Sequence, residues 1–177
     1  ILLILFALIL SIPLPLVALQ ILWLNLVTDS LPALALGTTK SEEDVMKRKP
    51  RNPKESIFKD IKGFIITAGI TGAVVTLLIF LYAINDLSKA RTLALTTIIL
   101  FELFIAFSCE SNKPFNKIFS NKYLNMAVLA SIILQVIVIY TPLRHAFKLV
   151  PLTFVDWITV LVLASIGFFI IEIKKLL

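Results

Sequence analysis

Three oxygen-bearing side chains lie close together in an otherwise apolar stretch near the start of the chain, LVALQILWLNLVTDSLPALALG. Asn25, Thr28 and Asp29 are spaced at i, i+3 and i+4, so an α-helix would place them on one face. Pro32 has no N–H, which would leave the Thr28 carbonyl unpaired and favour local unwinding beside Asp29. Such oxygens are the ligands that a hard cation such as Ca²⁺ prefers. The alternative is a kinked helix whose polar face packs against its neighbours.

A second carboxylate lies in another apolar stretch, LTTIILFELFIAFSC. At about 1.5 Å per residue, Glu102 lies roughly 17 Å beyond Arg91, and Asp29 lies roughly 21 Å beyond Pro15. We therefore expect the two carboxylates at similar depth, where they could share one cation or hold two side by side. An ionisable group at mid-bilayer costs about 2.5 kcal/mol or more, which makes both functional candidates. Taken alone, Glu102 could instead be a protonated carboxyl bonded to a neighbouring helix.

The stretches that carry these groups predict a membrane protein. Of 177 residues, 59% are hydrophobic and 16% are charged, which is too apolar for a soluble domain. A hydrocarbon core of about 30 Å needs about 20 apolar residues, and five stretches qualify: 14–36, 64–84, 91–109, 125–143 and 154–173. Residues 1–12 are interpreted as the truncated end of a further helix, followed by a turn at Pro13 and Pro15. The predicted fold class is all-α, a polytopic transmembrane helix bundle whose five-span domain covers 13–177.

The basic residues predict the orientation of this bundle. The segments 38–63 and 110–123 and the C-terminus hold 13 of the 17 Lys and Arg residues, and these segments fall on one side if all five spans cross. The other side holds four. By the positive-inside rule the first group faces the cytoplasm. The net charge of +6 thus indicates a membrane orientation, and no nucleic-acid partner is expected.

The other polar and small residues in the spans predict helix packing. Gln20 and Gln135 are expected to form interhelical hydrogen bonds, and Asp156 to be an interfacial or N-terminal helix charge. Small residues four apart predict close helix contacts: Ala68 with Gly72, and Gly69 with Ala73. The single cysteine, Cys109, excludes an intrachain disulfide, and the single histidine, His145, argues against a zinc site.

Two of these segments carry a family resemblance. QILWLNLVTDSLPALALG followed by MKRKPRNPKESIF resembles the sixth membrane helix and the next cytoplasmic loop of type II P-type cation ATPases. The likeness is greatest to reticulum-type calcium pumps and their prokaryotic relatives, and residues 1–12 would end the fifth helix. The resemblance implies that Asn25 serves the second ion site, Thr28 the first and Asp29 both, and that Glu102 contributes to the first. It also implies further ligands on the fourth and fifth helices, upstream of this chain.

The resemblance further implies how the chain would work. The loop 38–63 would couple the helices to a phosphorylation domain, with Arg48, Pro50, Arg51 and Pro53 in the family-like segment. Ca²⁺ would be the transported ion, while ATP and Mg²⁺ would be bound by domains absent from this chain, which contains neither DKTGT nor TGE. The expected partners are the lipid bilayer, the remaining helices and that phosphorylation domain, in a prokaryotic plasma membrane with the C-terminus cytoplasmic.

Two alternatives stay open at the level of sequence. The first is the same region of a pump for another cation, such as Mn²⁺, Na⁺ or H⁺. The second is a stand-alone, non-enzymatic membrane protein.

Overall fold

Five long apolar helices dominate the computed structural model, which describes residues 1–39, 56, 58, 61–110 and 119–175. A short helix, α1 (Leu2–Ile9), precedes the first span, which consists of α2 (Ala18–Trp23), a π-helix (Leu24–Asp29) and α3 (Ser30–Leu36). The other spans are α4 (Lys62–Tyr82), α5 (Leu87–Ser108), α6 (Lys122–Tyr140) and α8 (Phe154–Lys174), with the short α7 (Leu143–Phe147) between the last two. The predicted all-α fold with five candidate spans is confirmed, and the described residues contain no strand.

Polar caps explain why two helices begin earlier than hydropathy alone predicts. Asp86 accepts a hydrogen bond from the Lys89 backbone N–H at 3.1 Å, so α5 starts four residues before the predicted 91. Asn121 caps α6 in the same way, which moves its start from 125 to Lys122. At α8, Thr153 and Asp156 form a reciprocal capping box. The role predicted for Asp156 as an N-terminal helix charge is confirmed, and its carboxylate also pairs with Lys89 at 2.9 Å.

The α5 helix lies at the centre of the bundle. Of its most apolar window, 72% is buried inside the protein, compared with 28–33% for the other spans. It packs against α4, α8, the π-helix, α3 and α6. A residue on α5 therefore sits where several helices meet, whereas much of each surrounding helix is exposed.

Close packing around α5 depends on two glycines. The ring of Phe101 lies between Gly72 of α4 and Gly167 of α8, so close that a Cβ on Gly72 would stand 2.7 Å from a ring carbon. The small-residue spacing predicted for α4 thus serves helix packing at Gly72, and Gly69 faces Leu2 of α1. Because Phe101 precedes Glu102, this contact helps to fix the rotation of the helix that carries the carboxylate.

Hydrogen bonds show which segments share an end of the bundle. Lys174 near the end of α8 donates to the Gly63 carbonyl at 2.9 Å and to the Thr67 hydroxyl at 2.6 Å, at the start of α4. Asn121 donates to the Ala35 carbonyl at 3.1 Å, at the end of α3. The described helix ends that adjoin the segments rich in Lys and Arg therefore lie at the same end of the bundle, as the positive-inside pattern requires; that this end faces the cytoplasm stays a prediction.

Candidate ion-binding site

The backbone leaves α-helical geometry in the segment that carries the candidate ligands. Residues Leu24–Asp29 form a π-helix, whose hydrogen bonds span five residues rather than four. The Ser30 hydroxyl follows this wider spacing and donates to the Asn25 carbonyl at 3.0 Å. Pro32 lies one turn further on, so the departure predicted beside Asp29 is present, in the form of a π-helix rather than an unwound chain. Single π-helical turns of this kind often occur at functional sites.

The π-helix separates the three polar side chains that an α-helix would align. Thr28 is buried with 1% of its surface exposed, and its hydroxyl donates to the Leu24 carbonyl at 2.8 Å. Asp29 is half-buried, whereas Asn25 is exposed among exposed apolar side chains such as Leu22 and Leu26. The expectation of one shared face assumed an α-helical turn, and the observed turn is wider.

The carboxyl groups of Asp29 and Glu102 meet between the π-helix and α5. The two carboxyl groups are near enough to interact electrostatically, and Glu102 Oε2 is buried with no hydrogen-bond partner among the described residues. Two carboxylates this close repel each other, so a proton or a cation has to compensate their charge at this depth. Residue counts predict the two carboxyl groups at similar depth in the membrane, and the packing of α5 against the π-helix brings the two segments together.

These two carboxylates need further ligands to hold a metal ion. Within the described ranges, no cluster contains three or more His, Cys, Asp or Glu side chains that could bind one. Ca²⁺ takes six to eight oxygen ligands. Amide, hydroxyl and carbonyl oxygens, including those of Asn25 and Thr28, or groups from other helices would have to complete the shell.

A ladder of hydrogen bonds fixes the helices next to this pair. Trp23 Nε1, one residue before the π-helix, donates to Gln135 Oε1 on α6 at 3.0 Å. Gln135 Nε2 donates to the Thr96 hydroxyl on α5 at 3.2 Å, and Thr96 donates back to the Thr92 carbonyl at 2.8 Å. Gln135 thus links both helices that carry a carboxylate, so its predicted role as an interhelical bridge is confirmed.

Gln20 forms a second bridge, nearer the end of the bundle that lies opposite the Lys-rich and Arg-rich end. Its Nε2 donates to the Phe147 carbonyl in α7 at 2.9 Å, and its Oε1 accepts from the Val17 N–H at 3.0 Å. The side chain is fully buried, so both polar ends are satisfied within the protein. The predicted packing role of Gln20 is therefore confirmed as well.

Comparison with known proteins places this arrangement in a family. Residues 13–177 match the model described as "Cation transporting ATPase, C-terminus". The chain belongs to this family. It is 44% identical to a calcium-transporting ATPase of Bacillus subtilis (strain 168) over 97% of the chain, and 35% identical to calcium-transporting ATPase 1 of Bacillus cereus over 92%. It is also 36% identical to calcium-transporting ATPase type 2C member 2 of Rattus norvegicus over 94%.

The ATPase region described here is a small part of those relatives. The chain spans about a fifth of their length, from 18% to 21%. The family resemblance stated from the sequence is confirmed. The segment of this ATPase region that holds Arg48, Pro50, Arg51 and Pro53 lies outside the described residues, and so does most of the loop 38–63.

The structure of this ATPase region also contains a buried polar cluster that the sequence analysis missed. Glu172 of α8 is 1% exposed, accepts a hydrogen bond from the Ser108 hydroxyl of α5 and pairs with Lys175 at 2.7 Å. Lys175 also donates to the Ser108 carbonyl at 2.6 Å. In the sequence, Lys175 was counted only among the basic residues that predict orientation, although its i,i+3 spacing from Glu172 indicates an ion pair. This cluster fixes α8 to the end of α5.

Proposed function

We propose that the complete protein is an ATP-driven calcium pump and that this chain supplies part of its ion-binding and translocation region. The observation that carries the proposal is that α5 packs against the π-helix within the membrane-spanning bundle, with the Asp29 carboxyl on one segment and the buried, unpaired Glu102 Oε2 on the other. A divalent cation between them would compensate both charges at a depth where an unpaired carboxylate is costly. The similarity to calcium-transporting ATPases supports Ca²⁺ as the substrate.

The proposed ligand set is Asn25, Thr28, Asp29 and Glu102. Asp29 is the central ligand in this proposal, because it belongs to the same segment as Asn25 and Thr28 and its carboxyl group is near enough to interact with that of Glu102 on α5. Asn25 is a polar group on an exposed face of a membrane-spanning segment, where an amide facing lipid is unfavourable. We propose that helices of the complete pump cover this face and contribute the remaining ligands.

The loop 38–63 is proposed to transmit movement between these helices and a phosphorylation domain. It follows directly after α3, which continues the π-helix that carries Asp29. Arg48, Pro50, Arg51 and Pro53 would form its contact surface, with the prolines stiffening the chain. ATP and Mg²⁺ would be bound by that phosphorylation domain and not by these helices.

Ion uptake by the full-length protein tests the proposal. Inside-out membrane vesicles should accumulate radioactive Ca²⁺ when ATP is added, and Asp29→Asn should abolish the uptake. Gln20→Ala is the control, because Gln20 is buried and polar but bonds near the opposite end of the first span. ATP-driven uptake of Mn²⁺ or Na⁺ without Ca²⁺ uptake would assign the site to another cation. The absence of any ATP-driven uptake would contradict the proposal.

A further inference from the structure

One asparagine joins three helix ends on the Lys-rich and Arg-rich side of the bundle. Asn121 lies just before α6, and its side chain is 9% exposed. Its Oδ1 accepts hydrogen bonds from the Tyr123 and Leu124 N–H groups at 3.0 and 3.2 Å, which caps α6. This cap uses only the oxygen end of the side chain.

The nitrogen end of Asn121 binds the end of the first span. Nδ2 donates to the Ala35 carbonyl and to the Thr39 hydroxyl, both at 3.1 Å, and also lies 3.4 Å from the Thr38 hydroxyl. Ala35 lies in the last turn of α3, and the two threonines follow directly after the helix. An N-cap needs no such contacts, so this amide does more than begin a helix.

The backbone of Asn121 makes the third connection. Its N–H donates to Glu110 Oε1 at 2.7 Å, and the Ser120 hydroxyl donates to the same oxygen. Glu110 is 8% exposed and follows α5 by two residues. Asn121 therefore connects the end of α3 to the end of α5 through buried hydrogen bonds. Because the local dielectric is low, distortion of these bonds is costly.

The two helices joined in this way are those that carry the candidate carboxylates. Ala35 is six residues beyond Asp29, or about 9 Å along the helix, and Glu110 is eight residues beyond Glu102, or about 12 Å. A change in the separation of Asp29 and Glu102 would therefore be transmitted over a short length of each helix to the hydrogen bonds of Asn121. The junction also holds Thr38 and Thr39, where the proposed coupling loop begins.

We infer that Asn121 is a positioning residue for ion binding: it fixes the cytoplasmic-side end of α3 against that of α5 and thereby sets the affinity of the Asp29–Glu102 pair. The inference rests on the proposed function, since it assigns a role in binding the transported ion. It predicts that loss of the Nδ2 contacts lowers ion affinity while the helix cap can stay intact.

The variant Asn121→Ser separates the two roles of this side chain. Serine is a good N-cap, so α6 should still begin normally, but its hydroxyl is too short to reach Ala35 and Thr39. Asn121→Ala loses the cap as well. Asn125→Ser is the matched control, because among the described residues the Asn125 amide nitrogen donates only to the Phe119 carbonyl, just before α6, at 2.8 Å.

The experiment measures Ca²⁺ activation of ATP hydrolysis by the full-length protein, normalised to the number of phosphorylated sites. For Asn121→Ser, the half-activating Ca²⁺ concentration should rise about three- to ten-fold, the effect of one or two lost hydrogen bonds. Maximal activity per site should stay near wild type, and Asn125→Ser should not change the affinity. In the double variant with Thr39→Val, the two effects should be less than additive, because both remove the same contact.

Three results would overturn the inference. If Asn121→Ser had wild-type Ca²⁺ affinity and Asn121→Ala had reduced affinity, the only role of Asn121 would be to cap α6. Additive effects of Asn121→Ser and Thr39→Val would show that the contact between them carries no coupling. A wild-type protein with no response to Ca²⁺ would refute the proposed function itself and this inference with it, an outcome seen before any variant is compared.

Discussion

The glycine at position 167 offers a test of the packing that holds α5 in place. In Gly167→Ala, the new Cβ would overlap Cε2 of the Phe101 ring and stand 2.7 Å from Cδ2 and Cζ. The ring cannot move away freely, because the backbone of α4 at Gly72 lies against its opposite edge. Overpacking of this kind costs about 1–3 kcal/mol, and the helix preference of Ala over Gly returns about 0.5–1 kcal/mol. Because the new Cβ would overlap a ring carbon outright, the cost should lie in the upper part of its range, which leaves a net loss of about 1–2 kcal/mol.

Thermal stability of the full-length protein in detergent measures this loss. A change of 1–2 kcal/mol corresponds to about a five- to thirty-fold change in the ratio of folded to unfolded protein. Size-exclusion chromatography after brief heating reports the folded fraction. Gly69→Ala is the matched control in the other helix contact, because its Cβ would lie at an ordinary 3.6 Å from Leu2 Cδ1. That variant should be as stable as wild type or slightly more stable.

A second variant shows whether Phe101 is the cause. Phe101→Leu in the Gly167→Ala background should recover part of the lost stability, so the two changes should be non-additive. If Gly167→Ala were as stable as Gly69→Ala, the close contact between α5 and α8 would be refuted. Strictly additive effects of Gly167→Ala and Phe101→Leu would refute the role of the ring.

Three further predictions concern the bridge, the topology and the coupling loop. Gln135→Leu should destabilise the full-length protein by about 1–3 kcal/mol in the same heating assay, because the partly buried Trp23 N–H loses its acceptor and the buried Thr96 hydroxyl loses a donor; an unchanged folded fraction would contradict the bridge. A cysteine placed at position 47 should react with a membrane-impermeant thiol reagent only after cells are opened, and labelling in intact cells would reverse the topology. Replacement of Arg48 and Arg51 by Ala should slow phosphorylation by ATP and leave equilibrium ion binding nearly intact; lost ion affinity with normal phosphorylation would refute the coupling role.

Hydropathy predicted the fold because each span must satisfy its backbone within an apolar solvent. About 20 apolar residues in a row leave few alternatives to a membrane helix, and all five spans are present. The helix ends were less accurate, since capping groups such as Asp86 and Asn121 extend helices into polar sequence that hydropathy assigns to loops. The caps were visible in the sequence as Asp and Asn before the helices, but they carry no apolar signal.

The candidate site was predictable only as far as depth and local spacing allowed. The similar depth of Asp29 and Glu102 followed from residue counts, and Pro32 marked the irregular turn. The π-helix changed which side chains share a face, so Asn25 lies exposed while Thr28 is buried. Pro32 indicated an irregular turn, but it did not specify a π-helix or the exposure of each side chain.

Long-range polar contacts were the part that the sequence concealed. Glu172 and Asn121 lie near helix ends, where charged and polar residues are ordinary, and their partners are 64 and 86 residues away. Their burial follows from the way the helices pack and not from any nearby motif. The inferred role of Asn121 therefore could not have been stated from the sequence.

Binding of radioactive Ca²⁺ to membranes that contain full-length Asp29→Asn tests whether Asp29 and Glu102 form the ion site. The change keeps the shape and volume of the side chain but removes the charge that compensates for stripping water from a divalent cation. High-affinity binding should be lost, whereas Thr28→Ala and Glu102→Gln should weaken it more selectively and Gln20→Ala should leave it near normal. If Asp29→Asn bound as much Ca²⁺ as wild type with unchanged affinity, the carboxyl pair between the π-helix and α5 would not be the ion site.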